Sequence, residues 1–119
     1  MKKKILVVED EEGLRLLYEE ELKAEGYEVI TARNGREAIQ QLEVEKPDLI
    51  ILDIVMPVMD GMEALGRIVG KDRKIPTILN TSYSDYQQDF MSWAADAYLT
   101  KSVDLSKLID KVRELLEKG

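Results

Sequence analysis

The chain predicts a doubly wound α/β domain, a five-stranded parallel sheet covered on both faces by five helices. Short apolar runs alternate with amphipathic stretches along all 119 residues. Two of those runs, Ile5-Leu6-Val7-Val8 and Leu49-Ile50-Ile51-Leu52, are continuously apolar, as strands buried on both faces require. No repeat, low-complexity tract or linker divides the chain, so residues 1–119 read as a single domain of ordinary size.

Ile5–Val8 is the first strand, followed by a helical stripe at Leu14, Leu17, Tyr18 and Leu22 that Gly26 closes. Tyr27–Ala32 forms the second strand. Asn34 and Glu37 have capping-box spacing and open a helix through Ala38, Ile39 and Leu42, which ends before Pro47. Leu49–Leu52 is the most apolar run, hence the central strand, and leads directly into Asp53. A loop with Pro57 and Gly61 precedes a weaker helix over 62–69, interrupted by Gly66. The fourth strand spans Ile75–Leu79, entered through Pro76, and Ser84 to Gln87 caps a fourth helix through Phe90 and Trp93. Ala97–Leu99 is a short fifth strand. The clearest helix comes last, capped at Asp104, with Leu105, Leu108, Ile109, Val112, Leu115 and Leu116 on one stripe.

Composition narrows the chemistry. An apolar share of 45% with 34% charged residues fits a folded globular chain. No apolar run approaches the roughly 20 residues that span a bilayer, and the basic start leads into a strand too short for a signal peptide, so a cytoplasmic location is expected. Cysteine is absent, which excludes disulfides and thiolate chemistry, and histidine is absent too, removing the commonest general base and zinc ligand. A net charge of -7 argues against direct nucleic-acid binding and favours cations and basic partner surfaces.

In open α/β sheets ligands bind beyond the carboxyl ends of the strands. That rule selects Glu9 and Asp10 after the first strand, Asp53 after the third, Thr81 and Ser82 after the fourth and Lys101 after the fifth. Carboxylates about 4 Å apart repel by a few kcal/mol per pair, so such a cluster needs cations. Lys101 can supply one charge. Magnesium suits a site of one or two carboxylates, waters and phosphate oxygens, and with both beside it Asp53 stays ionised and nucleophilic. Asp10 with the metal, the Thr81 hydroxyl and the Lys101 ammonium suit phosphoryl transfer, where the protein positions groups and neutralises charge. Any donor histidine must belong to a partner.

Glu9-Asp10, the segment Asp53-Ile54-Val55-Met56-Pro57-Val58-Met59-Asp60-Gly61, Thr81, Tyr98 and Lys101 together resemble the response-regulator receiver domain. The resemblance spans essentially the whole chain. It implies a flavodoxin-like sheet in the order 2-1-3-4-5 and magnesium-dependent phosphorylation of an aspartate by a sensor histidine kinase or histidine phosphotransfer protein. It further implies a regulatory domain, not an enzyme, that assists its own phosphorylation and dephosphorylation. Residue by residue, Asp53 resembles the phosphoacceptor, Asp10 the direct metal ligand and Glu9 an acidic neighbour acting through water. Val55 would offer its backbone carbonyl to the metal, and Lys101 would contact the phosphoryl group. Thr81 resembles the switch hydroxyl and Tyr98 the aromatic that changes rotamer with it. Output would pass to a protein target through the face of the fourth helix, fifth strand and fifth helix, in a monomer or a phosphorylation-dependent dimer.

The chain departs from that pattern at Ser102, where the family has proline in a cis peptide bond, in the turn Ala94-Ala95-Asp96-Ala97, which lacks glycine, and at Asn80, a polar residue in an apolar strand position that calls for a hydrogen-bonding partner. Val55 and Tyr83 occupy positions that resemble those where the family tunes attack of water on the phosphoaspartate, and an apolar and a bulky residue there imply a long-lived phosphoryl group. Taken singly, Glu9 and Asp10 are ordinary helix-start residues, Asp53 and Thr81 turn residues, Tyr98 a packing residue and Lys101 a solvated lysine. Flavin binding is disfavoured because Glu9, Asp10, Glu11 and Glu12 occupy the place of a phosphate loop, and a magnesium phosphatase because Val55 supplies no acid. The remaining alternative is a degenerate receiver acting as a constitutive protein-interaction module.

Overall fold

The structure, a computed structural model, describes residues 2–53, 75–81, 96–101 and 104–117, with the side chains of Thr81 and Tyr98 outside that description. In chain order come β1 (Lys4–Val8), α1 (Glu12–Ala24), β2 (Glu28–Ala32), α2 (Gly35–Val44), β3 (Leu49–Leu52), β4 (Thr77–Thr81), β5 (Ala97–Thr100) and α3 (Ser106–Glu117). The helix α3 is the one expected fifth. The helices expected over 62–69 and from Ser84 through Trp93 lie outside the described residues.

All strand pairs are parallel and the sheet runs β2-β1-β3-β4-β5, the expected order. Because side chains alternate along a strand, each central strand feeds two cores. Leu6, Val8, Ile50, Leu52 and Leu79 pack on one face with Ala38 of α2. Ile5, Val7, Leu49, Ile51, Ile78 and Ala97 pack on the other with Tyr18 and Leu22 of α1 and Leu108, Val112 and Leu116 of α3. Each fully buried side chain of this size contributes about 1.5–3 kcal/mol, which explains why β1 and β3 carry no alternation.

Local chemistry sets the helix ends. At the end of α1 the Gly26 amide bonds the Lys23 carbonyl at 3.0 Å and the Tyr27 amide bonds Leu22 at 3.2 Å, a Schellman pairing that needs a left-handed residue. Gly26, at φ +98°, provides it. The Asn34 side chain caps α2 by accepting the Glu37 amide at 2.9 Å. The reciprocal bond of a capping box is displaced by one residue, since the Glu37 carboxylate accepts the Arg33 amide at 2.8 Å and also binds the Arg33 guanidinium. At α3 the Asp104 carboxylate accepts the Ser106 amide at 2.9 Å, while the Leu105 carbonyl receives the first helical bond from Ile109.

The fourth strand sits two residues later than Ile75–Leu79. Pro76 donates nothing, its carbonyl accepting the Ile50 amide at 2.9 Å, and regular pairing begins at Thr77. It continues through Asn80 and Thr81, which lie opposite Leu99 and Thr100. The Asp96 carboxylate accepts the Thr77 amide at 2.8 Å and so anchors the entry to β5.

Candidate functional site

Glu9 follows β1 and Asp53 follows β3, yet both backbones remain tied to the sheet. The Glu9 amide donates to the Ala32 carbonyl at 3.0 Å and the Asp53 amide to the Val8 carbonyl at 3.1 Å. Val8 pairs with Leu52, so Glu9 and Asp53 stand side by side one step further on. The strand alternation turns both toward the face covered by α1 and α3. Lys101, immediately after β5, reaches the same point.

The Lys101 ammonium lies 2.7 Å from Glu9 Oε1 and 2.9 Å from Asp53 Oδ2. Glu9 and Asp53 are 2% and 5% exposed, and the Lys101 side chain is largely buried between them. Two such carboxylates taken from water demand partners, and a charge-assisted bond to one shared cation is a compensation that Lys101 supplies to both. Burial on its own would drive Lys101 toward the neutral amine. Its hydrogen bonds to Glu9 and Asp53 overcome that and push its pKa up to about 12. Burial raises the Glu9 carboxyl, against the opposing pull of Lys101 and of the Glu11 amide.

Asp10, by contrast, is exposed. One oxygen from each of Glu9, Asp10 and Asp53 lies within 4.8 Å of the others. Three carboxylates and one ammonium leave a formal charge of −2, which matches a hard divalent cation. The donor set is all oxygen and open on the Asp10 side, as magnesium with retained waters requires. Glu9 is engaged twice, since its Oε1 meets Lys101 and its Oε2 accepts the Glu11 amide at 3.1 Å. Asp10 and Asp53 are the other two carboxylates of the cluster that could hold an ion.

Two features escaped the sequence reading. Arg15, one turn into α1, donates to the Glu9 carbonyl at 3.0 Å and approaches the Asp10 carbonyl at 3.5 Å, bracing the loop that carries both acids. Its spacing from Glu9 was the available signal. Asn80 does have the partner its burial demands: its amide donates to the Tyr18 hydroxyl at 3.1 Å in the core. Tyr18 had been legible only as part of an apolar stripe. Thr81 ends β4 and Tyr98 lies within β5. Val55, Tyr83, Phe90, Trp93 and the Lys101–Ser102 bond fall outside the described residues.

Residues 5–113 match the model of the response regulator receiver domain. Sporulation initiation phosphotransferase F of Bacillus subtilis is 36% identical over 98% of this chain and 95% of its own length. The alkaline phosphatase synthesis transcriptional regulatory protein PhoP of the same organism is also 36% identical, but this chain spans only 50% of it. Among solved structures, the response regulator TrrA of Thermotoga maritima in complex with Mg2+-BeF superposes with a TM-score of 0.90 at 48% identity, covering 96% of this chain and 99% of that one. TrrA in complex with the histidine kinase ThkA gives a TM-score of 0.88, at 48% identity and coverage of 96% and 98%.

Proposed function

The chain belongs to the response-regulator receiver domain family, and from that premise we propose that Asp53 accepts a phosphoryl group from a partner's phosphohistidine and thereby switches the binding of a downstream protein. The observation that carries this reading is the placement of Asp53 at the end of β3, buried, paired with Lys101 and clustered with Glu9 and Asp10.

An Asp53 carboxylate oxygen attacks the phosphorus, the P–N bond to the donor imidazole breaks, and the imidazole leaves with the bonding pair. The acceptor reacts as its carboxylate, whose Oδ2 lies 2.9 Å from the Lys101 ammonium. As the phosphoryl group arrives, Lys101 is suited to follow the charge onto its oxygens, which weakens its hold on Asp53 and leaves its bond to Glu9 in place. Asp10 and Asp53 would hold magnesium, with Glu9 acting through water and the Val55 carbonyl as a further ligand, and the ion would supply positive charge for the phosphoryl oxygens. The Thr81 position at the neighbouring strand end suits a hydroxyl that reports phosphorylation, and Tyr98 of β5 would be the aromatic that responds to it.

The ThkA–TrrA complex supports a sensor histidine kinase as donor, and the Mg2+-BeF complex of TrrA supports the metal. No helix among the described residues is long and apolar enough to cross a membrane. Incubation with magnesium and acetyl phosphate tests the proposal by intact mass. A gain of one phosphoryl group, lost in Asp53→Asn, is the expected result; no gain in the parent chain overturns it and favours a constitutive interaction module.

A further inference from the structure

The strand register places Asn80 beside Asp53, because Leu52 pairs with Leu79 and each next residue extends that match by one. Parity puts both on the face covered by α1. There the Asn80 amide donates to the Tyr18 hydroxyl at 3.1 Å, across 62 residues of sequence. Tyr18 is 2% exposed and Asn80 5%, and Tyr18 packs in the core formed by Ile5, Val7, Ile78 and α3.

An apolar pair would fill this space with no polar group to satisfy, and a buried hydrogen bond adds only modestly to stability. What the pair adds is direction. It joins the middle of α1 to the strand residue flanked by Asp53 across the sheet and Thr81 along the chain, two positions that must hold a fixed geometry around a phosphoryl group. We propose that Tyr18 and Asn80 are positioning residues: their bond holds the carboxyl end of β4 against α1 and so preorganises the Asp53 site for phosphoryl uptake. This rests on the reading of Asp53 as acceptor. Tyr18 touches no reacting atom and acts only through Asn80.

The test compares the parent chain with Tyr18→Phe, Asn80→Leu and the double variant, by urea unfolding and by the rate of acetyl phosphate uptake at saturating magnesium. Each single change leaves or creates a mismatch and lowers the unfolding midpoint. The double change removes both polar partners and returns the midpoint to near the parent value. Uptake in the double variant is nevertheless expected to fall by about 3- to 10-fold, the span of one lost hydrogen bond. Uptake within twofold of the parent in a stability-matched double variant overturns the proposal and leaves the pair a packing feature. Should the double variant fail to fold, Tyr18→Phe decides alone, since it keeps the ring and loses only the hydroxyl; unchanged uptake there is equally fatal. A parent chain that takes up no phosphoryl group overturns the Asp53 reading, and this one with it, whereas a competent parent matched by its variants overturns this one alone.

Discussion

Replacing Lys101 with methionine keeps the aliphatic stem and removes the ammonium that stands 2.7 Å from Glu9 and 2.9 Å from Asp53. Water cannot easily take its place, because the two carboxylate side chains are only 2% and 7% exposed. Their oxygens lie within 4.8 Å, a separation at which like charges repel by about 3.5 kcal/mol at an effective dielectric near 20. Removing one partner from a buried ion pair costs a similar amount, about 3–5 kcal/mol. The variant is therefore expected to lose about 3 kcal/mol of stability at neutral pH without magnesium, a large part of the 5–15 kcal/mol typical of a domain. Urea unfolding followed by circular dichroism measures this through the midpoint at unchanged slope. Added magnesium should stabilise Lys101→Met more than the parent, because the ion then supplies charge that the lysine no longer provides. A loss below about 1 kcal/mol, the range of a solvent-screened pair, or equal stabilisation of both chains by magnesium would refute the reasoning.

Two further outcomes follow from the helix termini. Gly26→Ala places a Cβ in open space, so its whole cost is the positive φ, about 1–2 kcal/mol, readable from the urea midpoint; an unchanged midpoint would contradict the Schellman assignment. The Glu37 carboxyl is held below its ordinary 4.5 by the Arg33 side chain and then by the Arg33 amide. The unfolded chain thus binds that proton more tightly than the folded one, so the stabilisation is present above pH 4.5 and lost as pH falls through the folded value. Glu37→Gln should flatten that acid limb, and parallel stability curves for the two chains below pH 4.5 would exclude the bond as its source.

Much of this was legible because it is local. The apolar runs of β1 and β3, the glycine that closes α1 and the Asn34 cap each follow from adjacent residues and their periodicity. The strand-end acids were legible for a topological reason: a parallel sheet collects the carboxyl ends of its strands on one edge, wherever they fall in the sequence. The shift of β4 had a different cause. Apolarity favoured Ile75–Leu79, but the strand extends where hydrogen bonds to β5 are available, and it tolerates Asn80 because Tyr18 satisfies it. No window of sequence reports a bond spanning 62 residues. The sharing of Lys101 between Glu9 and Asp53 was beyond reach for the same reason, since a single lysine carries no mark of how many acids it will meet.

The register of β1 against β3 makes the acidic pair a matter of counting. Glu9 and Asp53 meet because Val8 faces Leu52 and each acid stands one residue further along. A single residue inserted into or deleted from either strand would send one carboxylate to the opposite side of the sheet and leave the other behind. The apolar letters of the two strands can therefore drift among leucine, isoleucine and valine with little consequence for chemistry, whereas their lengths cannot drift at all. What inheritance has to preserve here is less a wording than a metre.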